Sequence, residues 1–335
     1  MLASKKEYLI KKLTSLLLLS IFVVSTALAQ KVTPVEKYGK LKVDGAKILD
    51  ASGHVVQLRG LSLSWSIWDG RKYYNPAVVK WLKNDFNISL LRVSMAIEPD
   101  KGYLQDPMGQ EQLITNTIDA AIKQGMYVLL DWHDHHANQH VQQSKDFFGR
   151  MAKRYSGVPN LIYEIWNEPE RIDWAIIKNY AQEIIPEIRK YDATNIIVVG
   201  SSAWDQDVDV TAKSPIQGFH NIAYSFHFYA SDPAHQESLM RKADEAIALG
   251  LPLFVTEWGV GEATGDGVFD LGKTDKWFAW MEKNKLCWAN WNITDKKETT
   301  ALLMPGASIS GNWRKADLTP AGTFIRTKLI SLNQK

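Results

Sequence analysis

Eight short apolar runs recur along this chain, at residues 56–63, 89–93, 127–131, 161–166, 196–199, 223–228, 253–257 and 286–291. They are bare runs rather than strict alternations, so strands built from them are covered on both faces. Helical patterns fill most of the intervals, at 76–84, 111–124, 141–155, 174–191, 236–249 and 273–284, and a last one at 321–332 closes the chain. The connection 205–218 carries the weakest helical pattern. Strands alternating with helical crossovers specify a parallel sheet, and eight such units specify a closed (β/α)8 TIM barrel. An open doubly wound sheet is the alternative. It would announce its ligand site with a glycine-rich turn after the first strand, where this chain has Leu61-Ser62-Leu63-Ser64-Trp65. Residues 41–58 alternate and contain Asp44-Gly45 and Ser52-Gly53, which predicts a short N-terminal β-hairpin ahead of the barrel.

Residues 1–29 read as a signal peptide. Lys5, Lys6, Lys11 and Lys12 form a basic head, Leu16 to Val24 an apolar core, and Ala27-Leu28-Ala29 a small-x-small cleavage pattern before Gln30. The expected product is a secreted or periplasmic protein in which residues 30–335 form a single (β/α)8 catalytic domain, free of the membrane once the signal is cleaved. An uncleaved membrane anchor is the competing reading of the same segment. Loss of these residues removes four Lys and one Glu, leaving a net charge of −1. So balanced a surface offers no electrostatic footprint for nucleic acid and suits a neutral substrate. The lone Cys287 cannot form an intramolecular disulfide. The expected state is a monomer.

Barrel chemistry sits at the C-terminal ends of the strands. Here those ends carry Arg92, Asp131-Trp132-His133, Asn167-Glu168-Pro169, His227 with Tyr229, Glu257-Trp258-Gly259 and Trp291. Glu168 and Glu257 come from the fourth and seventh strands, on opposite sides of the ring. Two carboxylates facing each other across a cleft suit glycosidic bond cleavage. The bland alternative pairs each with a local Arg or Lys. Asn167 and Glu168 are neighbours that a regular strand would point to opposite faces, so the strand must bulge or end there. Asp131-Trp132-His133-Asp134-His135-His136 also has metal-ligand chemistry, which raises a metal-dependent hydrolase. The fourth and fifth strands offer neither Lys nor His to complete such a site. His133 is therefore read as a cleft residue, and no cofactor is expected. Glu164, inside a strand, reads as a buried, partnered carboxylate. Trp81, Trp277 and Trp280 read as core. Trp68, Trp204 and Trp291 follow strands one, five and eight, where flat rings stack on sugar faces. Tyr103, after the second strand, is a further substrate-binding candidate.

These strings resemble glycoside hydrolase family 5, and within it the bacterial endoglucanases. The likeness runs from about Val35 to the C-terminus. It rests on Leu58-Arg-Gly-Leu-Ser62, Asp131-Trp-His133, Ile162-Tyr-Glu-Ile-Trp-Asn-Glu-Pro169, Phe226-His-Phe-Tyr229, Val255-Thr-Glu-Trp-Gly259 and Trp288-Ala-Asn-Trp291, in that order. The resemblance implies a retaining hydrolase of β-glucan, with Glu168 as acid/base and Glu257 as nucleophile. It implies that Asn167 binds the sugar 2-hydroxyl and that Arg92 and Tyr229 align the nucleophile. It also implies that His133 and His227 bond in the central subsites, that Trp68, Trp204 and Trp291 are platforms, and that Lys296 and Glu298 bind sugar. Mannan, xyloglucan and mixed-linkage glucan are alternative substrates, and a non-catalytic glycan-binding barrel is an alternative of another class. Ser64 stands where many members carry His, and Ala96 where some carry a subsite Tyr.

Overall fold

The structure is a computed structural model that describes residues 32–334. The signal-peptide reading of residues 1–29 lies outside them. Among the described residues, no helix is long and apolar enough to cross a membrane.

Eight parallel strands close a barrel: β3 (Arg59–Leu63), β4 (Leu90–Ala96), β5 (Tyr127–His133), β6 (Leu161–Glu164), β7 (Ile197–Val199), β8 (Ile222–Tyr229), β9 (Leu253–Gly259) and β10 (Trp288–Ile293). β10 returns to pair with β3. Helices cross between the strands, and at some of them a capping residue sets the start ahead of the apolar period. The helix expected from residue 111 begins at Pro107, because the Asp106 carboxylate accepts the Gly109 N–H and Pro suits the first turn. The closing helix, Pro320–Asn333, begins the same way under a Thr319 cap. The weak connection resolves into a tight turn at Ser202–Asp205 and a short helix, Val208–Lys213.

Strand alternation divides the apolar residues into two layers. On β4, Leu91, Val93 and Met95 face the helices, whereas Leu90 joins the cluster inside the barrel. Gly60 is required where β3 meets β4, since a Cβ there would lie 1.8 Å from the Leu90 carbonyl oxygen. The expected hairpin is present as β1 (Lys42–Asp44) paired with β2 (Lys47–Leu49). Its Leu41 and Ile48 join Val56, Leu58, Leu90 and Tyr127 in the inner cluster, which stoppers the barrel at the N-terminal ends of its strands. The inner cluster is apolar at that floor, while Arg92, Asp131 and Glu164 occupy the layer above it. Polar side chains therefore concentrate towards the opposite mouth.

Candidate active site

Arg92, fully buried on β4, is the centre of the upper layer. Its Nε lies 2.7 Å from Glu164 Oε2, and its Nη1 lies 2.7 Å from Glu257 Oε2. Its Nη2 donates to Asn167 Oδ1 at 2.7 Å and lies 2.9 Å from Asp131 Oδ2. A guanidinium forks rigidly, so one side chain sets four others. Such a buried cluster gives position more than stability, because desolvation offsets much of its Coulomb energy. Arg92 and His227 hold Glu164 at a pKa of about 2 even though burial pushes the other way.

Glu257 accepts from Arg92 on one oxygen and from the Tyr229 hydroxyl on the other, at 2.6 Å. Its aim depends on a bulge. From Ser225 to His227 along β8, the partner strand advances from Phe254 to Glu257, one residue further. The extra residue turns both Thr256 and Glu257 inward. Thr256 Oγ1 meets His227 Nε2 at 2.7 Å while Glu257 meets Arg92. Gly259 then leaves room for Tyr229, since a Cβ there would fall 2.6 Å from the ring. Burial, then the negative Glu257 and Glu168, push the Tyr229 hydroxyl well above its ordinary pKa, so it stays a donor.

Glu168 reaches the cleft differently. β6 ends at Glu164, and Glu168 takes a left-handed conformation with φ +51°. That turn resolves the neighbour problem posed by Asn167 and Glu168. Glu168 Oε1 lies 3.0 Å from His227 Nδ1. Burial alone would raise the Glu168 pKa, but the hydrogen bond and charge of His227, with His135 and His133 behind it, lower it. Burial opposes charge on His227 too, yet Asp205, Glu164, Glu168 and Glu257 surround it and raise its pKa well above the usual imidazole value.

The remaining candidates divide. His133 sits 2.7 Å from Asp131 Oδ2, and burial with Arg92 nearby lowers its pKa to about 3. Its ring stacks parallel to Trp291 at 5.4 Å. A trough of about 570 Å³ is lined by Trp68, His133, Glu168, Tyr229, Glu257, Trp291, Lys296 and Glu298, and by Ser64. Lys296 Nζ pairs with Glu298 Oε2 at 2.6 Å. Asn167 Nδ2 is buried with no hydrogen-bond partner among the described residues.

Two of the substrate-binding candidates fall outside the trough. Tyr103 is 5% exposed, packs edge-on against Trp132 and Phe147, and accepts a hydrogen bond from Arg150. It is a core residue, drawn under by its apolar ring. Trp204 is half-buried beside the trough, with the Arg171 guanidinium 5.3 Å from its ring, and does not line it. Conversely, Trp65 lines the trough, edge-on to His133 at 4.1 Å and 5.5 Å from Trp68. Sequence reading passed over it as the tail of the first strand, although the Trp65-x-x-Trp68 spacing was visible.

His133, His135 and His136 disperse to Asp131, the Glu168 carbonyl and Glu98 respectively. Among the described residues, two groups bring ligand atoms within 4.8 Å of one another, Glu168–His227–Glu257 and Glu98–Asp134–His136. In the second, the Asp134 oxygens already accept from Trp132 Nε1, the His136 N–H and His140.

A parallel (β/α)8 barrel whose mouth holds two carboxylates, one clamped by Arg and Tyr and one by His, defines the glycoside hydrolase class. Residues 49–297 match the family described as Cellulase (glycosyl hydrolase family 5), and the chain belongs to that family. It is 37% identical to an endoglucanase of Clostridium saccharobutylicum, over 98% of this chain and 75% of that one. It is 38% identical to Endoglucanase A of Evansella cellulosilytica, over 95% of this chain, and spans 66% of that protein's length. Among solved structures, the catalytic domain of Thermobifida fusca endoglucanase Cel5A superposes with a TM-score of 0.84 at 35% identity, covering 89% of this chain and 99% of that one. A variant of that domain has been solved with cellotetraose.

Proposed function

We propose that this protein is an endo-β-1,4-glucanase that cleaves internal bonds of cellulose or a related β-glucan with retention at the anomeric carbon. The observation that carries the reading is the Glu168–Glu257 pair, with one carboxylate oxygen from each within 4.8 Å of the other across an open trough. That spacing favours direct attack, since inverting enzymes hold their carboxyl groups roughly 6.5–9.5 Å apart to admit a water. The endoglucanase names of its relatives and the cellotetraose complex of a similar domain support the substrate class.

Glu257, aligned by Arg92 and Tyr229, attacks the anomeric carbon, and the departing oxygen takes a proton from Glu168. Glu168 must carry that proton when the bond breaks, and a sugar that fills the trough displaces water and so favours the neutral carboxyl. Once Glu257 is esterified, Glu168 takes a proton from water for the second displacement. Asn167 Nδ2 meets the 2-hydroxyl, and Trp291 lies beneath the sugar at the cleavage point. Export, with cleavage after Ala29, belongs to the same proposal, and N-terminal sequencing of the mature protein should begin at Gln30.

The deciding experiment is a panel of β-glucan, mannan and xylan with product analysis, and proton NMR of the first anomer formed. β-Anomeric oligosaccharides released fastest from the 1,4-glucan support the reading. An α-anomer sinks the retaining mechanism, preference for mannan moves the substrate, and no reducing sugar from any of them leaves a binding barrel.

A further inference from the structure

We propose that Asp205 is a positioning residue for the acid/base, holding the main chain of Glu168 in its left-handed turn and linking it to His227. The inference deepens the proposed function and rests on Glu168 as proton donor.

Asp205 is completely buried. Its Oδ2 accepts the Glu168 N–H at 2.9 Å and stands 3.6 Å from His227 Nε2. Its Oδ1 accepts the Ser201 N–H at 2.5 Å. One carboxylate thus touches both the main chain of the acid/base and the imidazole that bonds its side chain. The other groups around His227 are Glu164, at 3.8 Å, Thr256, Glu257 and Glu168 itself.

The surrounding turn is built for this contact at visible expense. Ala203, Trp204 and Asp205 have φ of +56°, +57° and +61° in succession. Left-handed conformation crowds a residue that carries a Cβ and is rarely adopted by three in a row. The strained turn is held against the Glu168 turn by three consecutive hydrogen bonds. Ala203 N–H donates to the Glu170 carbonyl at 3.0 Å and Trp204 N–H to the Pro169 carbonyl at 2.8 Å, and Asp205 receives the N–H of Glu168. Glu168 lies beyond the end of β6, so the strand ladder does not fix it. The β7 loop supplies the missing restraint. Strain of this kind persists where surrounding structure over-determines it, as at catalytic centres.

The test compares kcat/KM of Asp205→Ala, Asp205→Asn and Glu168→Gln on soluble carboxymethyl cellulose and on 2,4-dinitrophenyl β-cellobioside, whose leaving group departs without a proton. Displacing a catalytic group by an ångström costs about 100-fold. Asp205→Ala is expected to lose about that on the polymer and less than about threefold on the aryl glycoside. Asp205→Asn keeps an acceptor for the N–H and should recover at least tenfold on the polymer. If the Ala variant does not fold, Asp205→Ser, with a shorter acceptor, takes its place in the comparison. Equal loss on both substrates, or none on either, overturns the proposal, provided Glu168→Gln shows the split. If Glu168→Gln is equally impaired on both, the assignment of Glu168 fails first.

Discussion

Glu168 and Glu257 are chemically identical side chains whose neighbours give them different work. Glu257 faces two donors that keep their protons, Arg92 and Tyr229. Glu168 faces an imidazole, His227, at 3.0 Å. Glu257→Gln is therefore expected to lower turnover at least 10⁴-fold while cello-oligosaccharides still bind, a pairing checked by kinetics and isothermal titration. Glu168→Gln should spare activated aryl glycosides and fail on the polymer. Glu164 makes a prediction about acid. Its native pKa of about 2 lies below the unfolded value of 4.5, so between those two the unfolded chain binds a proton that the native state refuses. Stability is then fully present above about pH 4.5 and is lost as pH falls towards 2, by on the order of 3 kcal/mol. Glu164→Gln should lower Tm at pH 7, by taking one charged partner from buried Arg92, yet show a flatter decline of Tm from pH 5 to pH 2.

At the scale of elements, the site depends on places where regular structure breaks. The β9 bulge aims Glu257, the end of β6 frees Glu168, and a left-handed turn after β7 holds it. The end of β6 was legible in the Asn167-Glu168-Pro169 string, whereas the bulge and the β7 turn were not, because each depends on a partner far along the chain. What was visible was period and composition. The eight apolar runs marked the eight strands, and charged groups at their ends marked Arg92, Glu168 and Glu257. Tyr103 misled because an aromatic in a rim loop reads alike whether it packs inward or outward. Trp65 was missed because it follows directly on a strand. Trp68, 65% accessible and with Trp65 beside it, lines the trough and presents a free ring face. Trp68→Ala should raise KM on cello-oligosaccharides by about tenfold, worth ~1.4 kcal/mol, and leave kcat within threefold. The hairpin stopper is separate from chemistry. Ile48→Ala should cost roughly 2–5 kcal/mol in denaturant unfolding without changing kcat/KM of the folded fraction.

Across the whole molecule, the barrel separates two tasks along its axis. The N-terminal ends of the strands are sealed by apolar packing, and the C-terminal ends carry the ionised groups. Those charges are largely paired with one another, and residues 30–335 carry a net charge of −1. A neutral polysaccharide then feels no long-range field. Accordingly, kcat/KM on a neutral glucan should vary by less than about twofold between 10 and 200 mM salt, as measured by initial rates. Loss of activity with salt would point to a charged polymer instead.

The hairpin stopper has a practical corollary. Pro34 begins the helix that leads into it, and Val35 is anchored to Gly125, just before β5 starts. Cargo, label or solid support joined ahead of Pro34 would depart from the underside, so the working face would stay open to a long polymer chain.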